Sequence, residues 1–510
     1  MSEQLALYVF IVGVAGLLYL DRDKSVRTSK ALWLPIIWTC IAGSRPVSMW
    51  FGTAEPGRTD SVIASTLDGS PMDAAVFEAL IAAALVALFL RRKRAISFVK
   101  ASGPVLIYLL YCMISIVWSP IPGPASKRWI KDAGDLVMVL LIVTEAQPIA
   151  ALGRFFARVG FVLLPFSVET IRWSITGRAF DDDGTPSNVG LTENKNSLGL
   201  IVFLVSLGVL WNIRGLLMDK SAPHRTRRLV AQCALLAFGI WLLQMAHCAT
   251  AIACFVLGAA LMFATSLRPI RIRPSRVHAL CLGIILAGGV ALFFGGESTV
   301  TGMLGRQSNL TGRTDIWKAC LRAADSPILG VGFESFWNTN VEKVAVRLPN
   351  YDAKTIHNLV SAHNGYIEVY LDLGFVGLCL IAFILISGYR NAVKSFQFSP
   401  QFGSLLLAYI TTAVFYSITE VGFRVLTPSW IFLLIAAINA NALAAGLIPG
   451  GKPRIPSLRL STSSRMSALN SSIPQPQRPD TGAIQGAMLL RSESPEMFST
   501  GLVRTKMEHE

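Results

Sequence analysis

The chain has 510 residues, 53% of them hydrophobic and 15% charged, and a net charge of +15; its mean hydropathy is +0.52. Soluble domains carry about 25% charged residues, so this composition excludes a water-soluble globular protein and describes a polytopic membrane protein. The positive charge does not point to nucleic acid, because it gathers in clusters at the edges of apolar runs, where it acts as a topology signal.

Apolar runs of roughly 17–25 residues can span a bilayer. Here they centre on 5–20, 31–51, 73–90, 103–119, 133–147, 155–171, 196–212, 229–246, 248–266, 279–296, 363–388, 402–419 and 426–447. The expectation is an all-α polytopic membrane protein of about 12–13 transmembrane helices, with one large outer-face loop that contains short amphipathic helices. The first run lacks a basic leader and a small-residue cleavage end, so it reads as a retained helix rather than a signal peptide. Basic clusters at Arg22 to Lys30, Arg91 to Arg94, Arg225 to Arg228, Arg268 to Arg276 and Arg390 to Lys394 follow the first, third, seventh, ninth and eleventh runs. Strict alternation makes all of these loops cytoplasmic, which places the amino terminus outside and the carboxyl terminus inside. The chain then divides into residues 1–296 with the first ten helices, an outer-face loop at 297–362, the last helices at 363–449, and a tail at 450–510. The tail is rich in Ser, Pro, Arg and Gln without apolar periodicity, the composition of a disordered segment. Of the eight cysteines, only Cys320 falls in the large loop, so that loop holds no internal disulfide; the others read as small buried hydrophobes.

The outer segments carry an excess of cations. Lys127, Arg128 and Lys131 are spaced to share one face of a helical turn, Arg172, Arg178 and Lys195 follow, then Arg306, Arg313, Lys318 and Arg322, and finally Arg424. Positive residues outside work against the insertion rule, so something must offset them. A lipid diphosphate fits, because guanidinium forks match phosphate oxygens; contact with anionic headgroups is the plainer reading.

Within the loop, Ile316, Trp317, Cys320 and Leu321 describe a short amphipathic helix from Thr314 to Ala324, ended by Ser326-Pro327 and turned back by Gly330-Val331-Gly332. Arg313, near the start of that helix, opposes the helix dipole, which favours a role in anion binding. His363 opens the eleventh run, with Ser361 as its cap. Asn364 follows, and Glu368 and Asp372 share Asn364's face. Carboxylates entering an apolar span are usually functional, and a base that titrates near neutral pH suits hydroxyl activation. Gly374 and Gly377 are spaced to let a neighbouring helix approach. His357 and His247 are weaker competitors for the base. Asp181-Asp182-Asp183 beside Gly184 reads as a hydrated turn rather than a metal site, and no nucleotide or zinc motif is present.

Four stretches resemble a known family: Gly43-Ser44-Arg45 with Trp50; Trp118-Ser119-Pro120 with Lys127-Arg128-Trp129; Glu193-Asn194-Lys195-Asn196 with Leu198-Gly199; and the block from Gly305 to Gly377 with His363-Asn364 and Gly374-Phe375-Val376-Gly377. Together they are similar to the O-antigen ligase and polymerase family, in the branch that includes exopolysaccharide polymerases. The resemblance implies a multi-pass protein of the bacterial inner membrane. It would transfer an undecaprenyl-diphosphate-linked glycan to a glycan or lipid A-core acceptor on the periplasmic face, without metal or cofactor, beside other polysaccharide-assembly proteins. It assigns the acceptor hydroxyl to His363 and the diphosphate to Arg313, with Arg178 or Lys195 in support. Arg45, Lys127, Arg128, Arg306, Asn364 and Glu368 join them as substrate-binding positions. Ligase and polymerase stay open, as do a flippase of lipid-linked glycans and a non-catalytic assembly subunit.

The alternation of basic clusters makes a direct prediction. Cysteines introduced at Ser308 and Asn340 should react with an impermeant thiol reagent applied to intact cells, and one at Ser464 should not; labelling at Ser464 would reverse the orientation.

Overall fold

The computed structural model describes residues 2–52, 70–180, 185–271, 273–293, 310–348 and 359–448. Every apolar run read from the sequence falls on a helix, the form that satisfies backbone N–H and C=O groups away from water. In chain order these are Glu3–Leu20, Trp33–Ala42, Pro71–Leu90, Gly103–Ser115, Pro122–Val143, Pro148–Trp173, Lys195–Met218, Arg225–Ala246, Ala249–Ala264, Pro274–Phe293, Gly365–Ser395, Pro400–Thr419 and Pro428–Ala444. The protein is a multi-pass helical membrane protein. Among the described residues seven helices are long and apolar enough to cross a membrane, or eight if the pair Arg92–Ala101 and Gly103–Trp118, bent by 84°, counts as one span. That is fewer than the runs suggested. Trp33–Ala42, Ala249–Ala264 and Pro428–Ala444 are short, and Pro122–Val143 carries Lys127, Arg128, Lys131, Asp132 and Asp135 in its first half.

The start of that last helix corrects the sequence reading. Residues 118–132 were expected as an outer polar segment; instead Pro122 occupies the first turn, where its missing N–H costs nothing, and the cations run into the bundle. Lys127 is exposed while Arg128 and Lys131 are buried, so of the three only Lys127 stays open to solvent. Pro428–Ala444 is buried along nearly its whole length and packs against Gly365–Ser395, Pro400–Thr419 and Pro122–Val143, forming the centre of the bundle. A small antiparallel hairpin, Arg178–Phe180 with Pro186–Asn188, follows the helix Pro148–Trp173.

The basic loops meet at one end. Arg228 pairs with Asp23 at 2.8 Å, Arg154 donates to Thr28 and to the Asp23 carbonyl, and Arg91 pairs with Glu145 at 2.7 Å. Burial pushes the Glu145 carboxyl up, but its bonds from Ser29 and Arg91 outweigh this and hold it below the ordinary range. The long helix Gly365–Ser395 runs from the His363 region to Lys394, so the loop residues lie at the opposite end.

That helix is broken at Gly374, whose φ of 64° and ψ of −162° are not helical. The loop backbone enters the break: Phe375 N donates to Pro327 O at 2.8 Å, Val376 N to Ile328 O at 3.2 Å, Val331 N to Leu371 O at 3.1 Å and Gly332 N to Asp372 O at 2.8 Å. A Cβ on Gly374 would collide with the Ile328 carbonyl, and one on Gly330 with the Asp372 carbonyl. The sequence suggested that Gly374 admits a neighbouring helix; it admits the loop. Gly374→Ala should therefore destabilise the protein by at least about 1–3 kcal/mol, the cost of a left-handed non-glycine residue, read as a lower thermal midpoint in detergent. Gly283→Ala, with nothing within 4 Å of the added atom, should show no loss; equal midpoints for the two variants would remove the strain argument.

Candidate active site

The loop helix forms over Leu310–Ala323. Its buried face is Ile316, Ala319, Cys320 and Ala323, while Leu321 is exposed, so the stripe is rotated from the expected Ile316, Trp317, Cys320, Leu321 set. Arg313 and Trp317, one turn apart, reach toward the same place. Trp317 Nε1 donates to the Ala362 carbonyl at 2.8 Å, and Arg313 donates to the Thr419 carbonyl and to Glu420 Oε1, the latter at 2.9 Å.

His363 lies just before its helix, not inside it. Asn364 is the cap: its side chain accepts from Tyr366 N at 3.0 Å and Ile367 N at 3.1 Å, and its amide donates to the Ile418 carbonyl at 2.9 Å. Ser361, the expected cap, has no such role. His363 itself adopts a φ of 49°, a conformation that costs a residue with a side chain of order 1–3 kcal/mol. The turn aims its Nδ1 at Glu420 Oε2, 3.6 Å away. Gly365 N donates to the Glu420 carbonyl at 3.0 Å, which ties the two segments together through backbone as well.

Glu420 is thus held between Arg313 and His363. Burial pushes its carboxyl up, but the contacts with His363 and Arg313 outweigh that and hold it below the ordinary carboxylate range. Its side chain is 7% exposed, against 22% for Arg313 and 39% for His363. The histidine is therefore the open side of the cluster.

A second ion pair lies beneath it. Arg424 Nε contacts Glu334 Oε2 at 3.0 Å, and its Nη1 donates to the Val360 carbonyl at 3.4 Å. Burial pulls the Arg424 guanidinium down, while Glu334, Glu368 and Asp372 more than restore it. Arg128 donates to the Glu334 carbonyl and to Asn338 Oδ1, the latter at 3.1 Å. Glu368 accepts from Trp337 Nε1 at 2.8 Å and from Ala362 N; Asp372 Oδ1 accepts from Ser335 N and Phe336 N, each at 2.9 Å. These carboxylates clamp the loop to the bundle, so Glu368, expected to bind substrate, has both oxygens committed to protein.

The remaining candidates divide. Lys195 opens the helix Lys195–Met218. An added Cβ on Gly199, one turn on, would press on Cys248, and Thr250 contacts Thr419 at 3.1 Å; Lys195 therefore lies at the same end as Glu420. His247 ends the next helix, Arg225–Ala246, at that end with a φ of 47°. Arg178 sits on the hairpin, exposed, and donates to the Ile171 carbonyl at 3.2 Å. Arg45 is tied to the carbonyls of Thr192, Thr176 and Gly190 and lines a separate groove. Arg306, Ser308, His357 and Asp181-Asp182-Asp183 lie outside the described residues, and Asn340 is buried, so a cysteine there is shielded from a thiol reagent whichever side it faces. Glu420 was missed as a site residue, and the signal was present: Glu420 and Arg424 are the two charged residues between Phe402 and Leu447.

Residues 232–382 match the O-antigen ligase family. The matched region contains Arg313 and His363, and it ends before Glu420. Over 352 residues, 66% of this chain and 75% of the relative, the sequence is 25% identical to the exopolysaccharide production protein ExoQ of Rhizobium meliloti (strain 1021).

The depressed Glu420 carboxyl predicts a pH signature. A group whose pKa falls on folding contributes stability above its unfolded value and loses it as pH drops through the folded value. Wild-type stability should hold across neutral pH and fall only below the ordinary carboxylate range. Glu420→Gln should lower stability at pH 7 by about 1.5–3 kcal/mol, the worth of a hydrogen bond to a charged group, and should lose part of the acid dependence. Identical pH–stability curves for the two proteins would show that Glu420 does not hold this cluster.

Proposed function

We propose that the protein is a membrane glycosyltransferase of the O-antigen ligase and polymerase type. It transfers a polyprenyl-diphosphate-linked glycan to a sugar hydroxyl on the outer face during exopolysaccharide assembly. The observation that carries this reading is the buried Glu420 carboxylate bracketed by Arg313 and His363, within and beside the region that matches the family. The named relative, an exopolysaccharide production protein, supports chain polymerisation over ligation to a lipid core.

The chemistry follows from the atoms. With Glu420 opposite Nδ1, the imidazole tautomer that donates from Nδ1 leaves Nε2 with its lone pair, the arrangement a general base requires. Nε2 takes the proton of the acceptor hydroxyl as its oxygen attacks the anomeric carbon. The bond from that carbon to the diphosphate oxygen breaks, and the lipid diphosphate leaves with the electron pair. Arg313, which spends two of its nitrogens on Thr419 and Glu420, has its Nε–H unspent among the described residues and offers it to the leaving group, where fixed donors stabilise developing charge. Lys195, at the same end, adds positive charge for the diphosphate. Glu420 orients both functional groups and touches neither substrate. The loop helix, pinned through Trp317 and the Glu368 and Asp372 clamps, holds donor and acceptor in line. Activation resides in the diphosphate leaving group, so no nucleotide sugar and no cofactor enter the scheme.

Purified protein supplied with a polyprenyl-diphosphate oligosaccharide should lengthen glycan chains. His363→Ala should lower turnover by roughly 10²–10⁴-fold, the range for loss of a general base, with donor binding kept. His363→Gln should be no better, since it cannot take the proton. Arg313→Ala should weaken donor binding, and Arg313→Lys should rescue it poorly because the planar fork is gone. Near wild-type product from His363→Gln would reduce the histidine to a positioning role, and absence of any lengthened product from wild type would favour a flippase or an assembly subunit.

A further inference from the structure

A second site lies on the flank of the bundle, away from His363. The first helix, Glu3–Leu20, the helix Trp33–Ala42 and the helix Pro148–Trp173 enclose a groove of about 540 Å³. Its walls are apolar, with Ile37, Ile41, Val162 and Phe166 among them. Trp33 and Ile37, each 43% exposed, open it toward the lipid. Three charged groups line it beside the hydroxyl residues Ser44, Thr170, Ser174 and Thr176: Glu169, Glu3 and Arg45.

Glu169 is the anomaly. It is only 4% exposed, yet its carboxylate makes no hydrogen bond or ion pair among the described residues. An unpaired buried carboxylate is strongly unfavourable, and Glu3, the other acid in the groove, supplies no counter-charge. Arg45 does not neutralise it either: its Nε and Nη2 are spent on the carbonyls of Thr192, Thr176 and Gly190, its guanidinium lies over the Trp50 ring at 5.8 Å, and its charge faces Glu193; its Nη1 makes no hydrogen bond among the described residues. Among the described residues the groove therefore holds no hydrogen-bonding cation opposite Glu169, while Arg45, whose charge Glu193 offsets in part, keeps one guanidinium N–H, and the groove adjoins hydrocarbon.

We propose that this groove binds phosphatidylethanolamine, with its ammonium on Glu169 and Glu3, its phosphate on Arg45 and an acyl chain along the apolar wall. An ethanolammonium carries three N–H donors and one positive charge, which suits two facing carboxylates. A phosphate oxygen suits the remaining guanidinium N–H. Phosphatidylglycerol offers the phosphate without the cation, and phosphatidylcholine offers a cation without N–H donors, so the groove distinguishes the three headgroups by chemistry. The occupied groove would fix the first helix against the Arg45-anchored hairpin.

The test is native mass spectrometry of the full-length protein after delipidation and exposure to an equimolar mixture of these lipids with matched chains. Wild type should retain phosphatidylethanolamine about tenfold over each of the other two, the scale of one hydrogen bond to a charged group. Glu169→Gln should bring the ratios close to one. Equal retention by wild type would overturn the proposal without any variant, so a Glu169→Gln protein that fails to fold leaves the test intact. A phosphatidylethanolamine preference that survives in Glu169→Gln would overturn it as well.

Discussion

The break at Gly374 governs the rest of the end that holds His363. In the interior of a membrane bundle each unsatisfied backbone group costs several kcal/mol, so a helix can be interrupted only where other protein supplies the missing bonds. The segment from Pro327 to Gly332 does so, with four backbone hydrogen bonds to residues on both sides of the break. Glycine is needed on both partners: Gly374 because of its φ of 64°, and Gly330 because of its φ of 71° and the pressing Asp372 carbonyl. The described part of the loop, residues 310–348, is therefore no loose excursion over the membrane face. Its return strand is stitched into the Gly365–Ser395 helix, and every later contact of the loop takes its position from that seam.

Charge burial completes what the seam begins. Buried ion pairs add little net stability, because desolvation offsets the Coulomb attraction, but breaking one by removing a partner is costly. Such pairs serve to specify position. Arg424 with Glu334 joins the turn after Pro400–Thr419 to the loop, Arg313 with Glu420 joins the loop helix to the same turn, and Asp372 and Glu368 fix Ser335 to Trp337 and Ala362. Three residues with side chains, Glu334, His363 and Leu426, hold positive φ around this network. Strain of that kind persists only where the surroundings over-determine it, and here the surroundings are these pairs. Rigid placement of His363 against Glu420 is their common product.

How much of this was legible in the sequence depended on what each feature needs. The apolar runs were visible because a span depends on local hydrophobicity alone, and each fell on a helix. The start of Pro122–Val143 was hidden, since Arg128, Lys131, Asp132 and Asp135 read as solvent-seeking, whereas their partners Glu334, Asn338, Trp430, Trp38 and Phe77 are brought by tertiary structure. Arg313 and His363 stood out because a cation in the first turn of a helix and a histidine before a capping Asn are local oddities. The role of Asn364 was displaced onto Ser361, although Asn is an equally strong cap, because His363 was assumed to be helical. Glu420 went unread because its meaning is relational: it lies 107 residues from Arg313 and acquires a function only when three segments meet.

The two ends of the bundle follow from the same economy of charge. At one end basic residues are numerous, and several pair with Asp23 and Glu145 or with nearby carbonyls. At the other end the cations are fewer, and several are committed: Arg424 and Arg128 to Glu334 and its loop, Arg45 to carbonyls that flank the hairpin. The positive-inside rule favours a cytoplasmic place for the first end, and on the orientation proposed above the second carries its cations across the membrane against that bias. Retaining them there is consistent with work for them to do on an outer-face anion. Arg313 shares a single carboxylate with a half-exposed histidine and keeps its Nε–H free of other bonds among the described residues, so it is the cation of the Glu420 cluster with a donor left for a diphosphate.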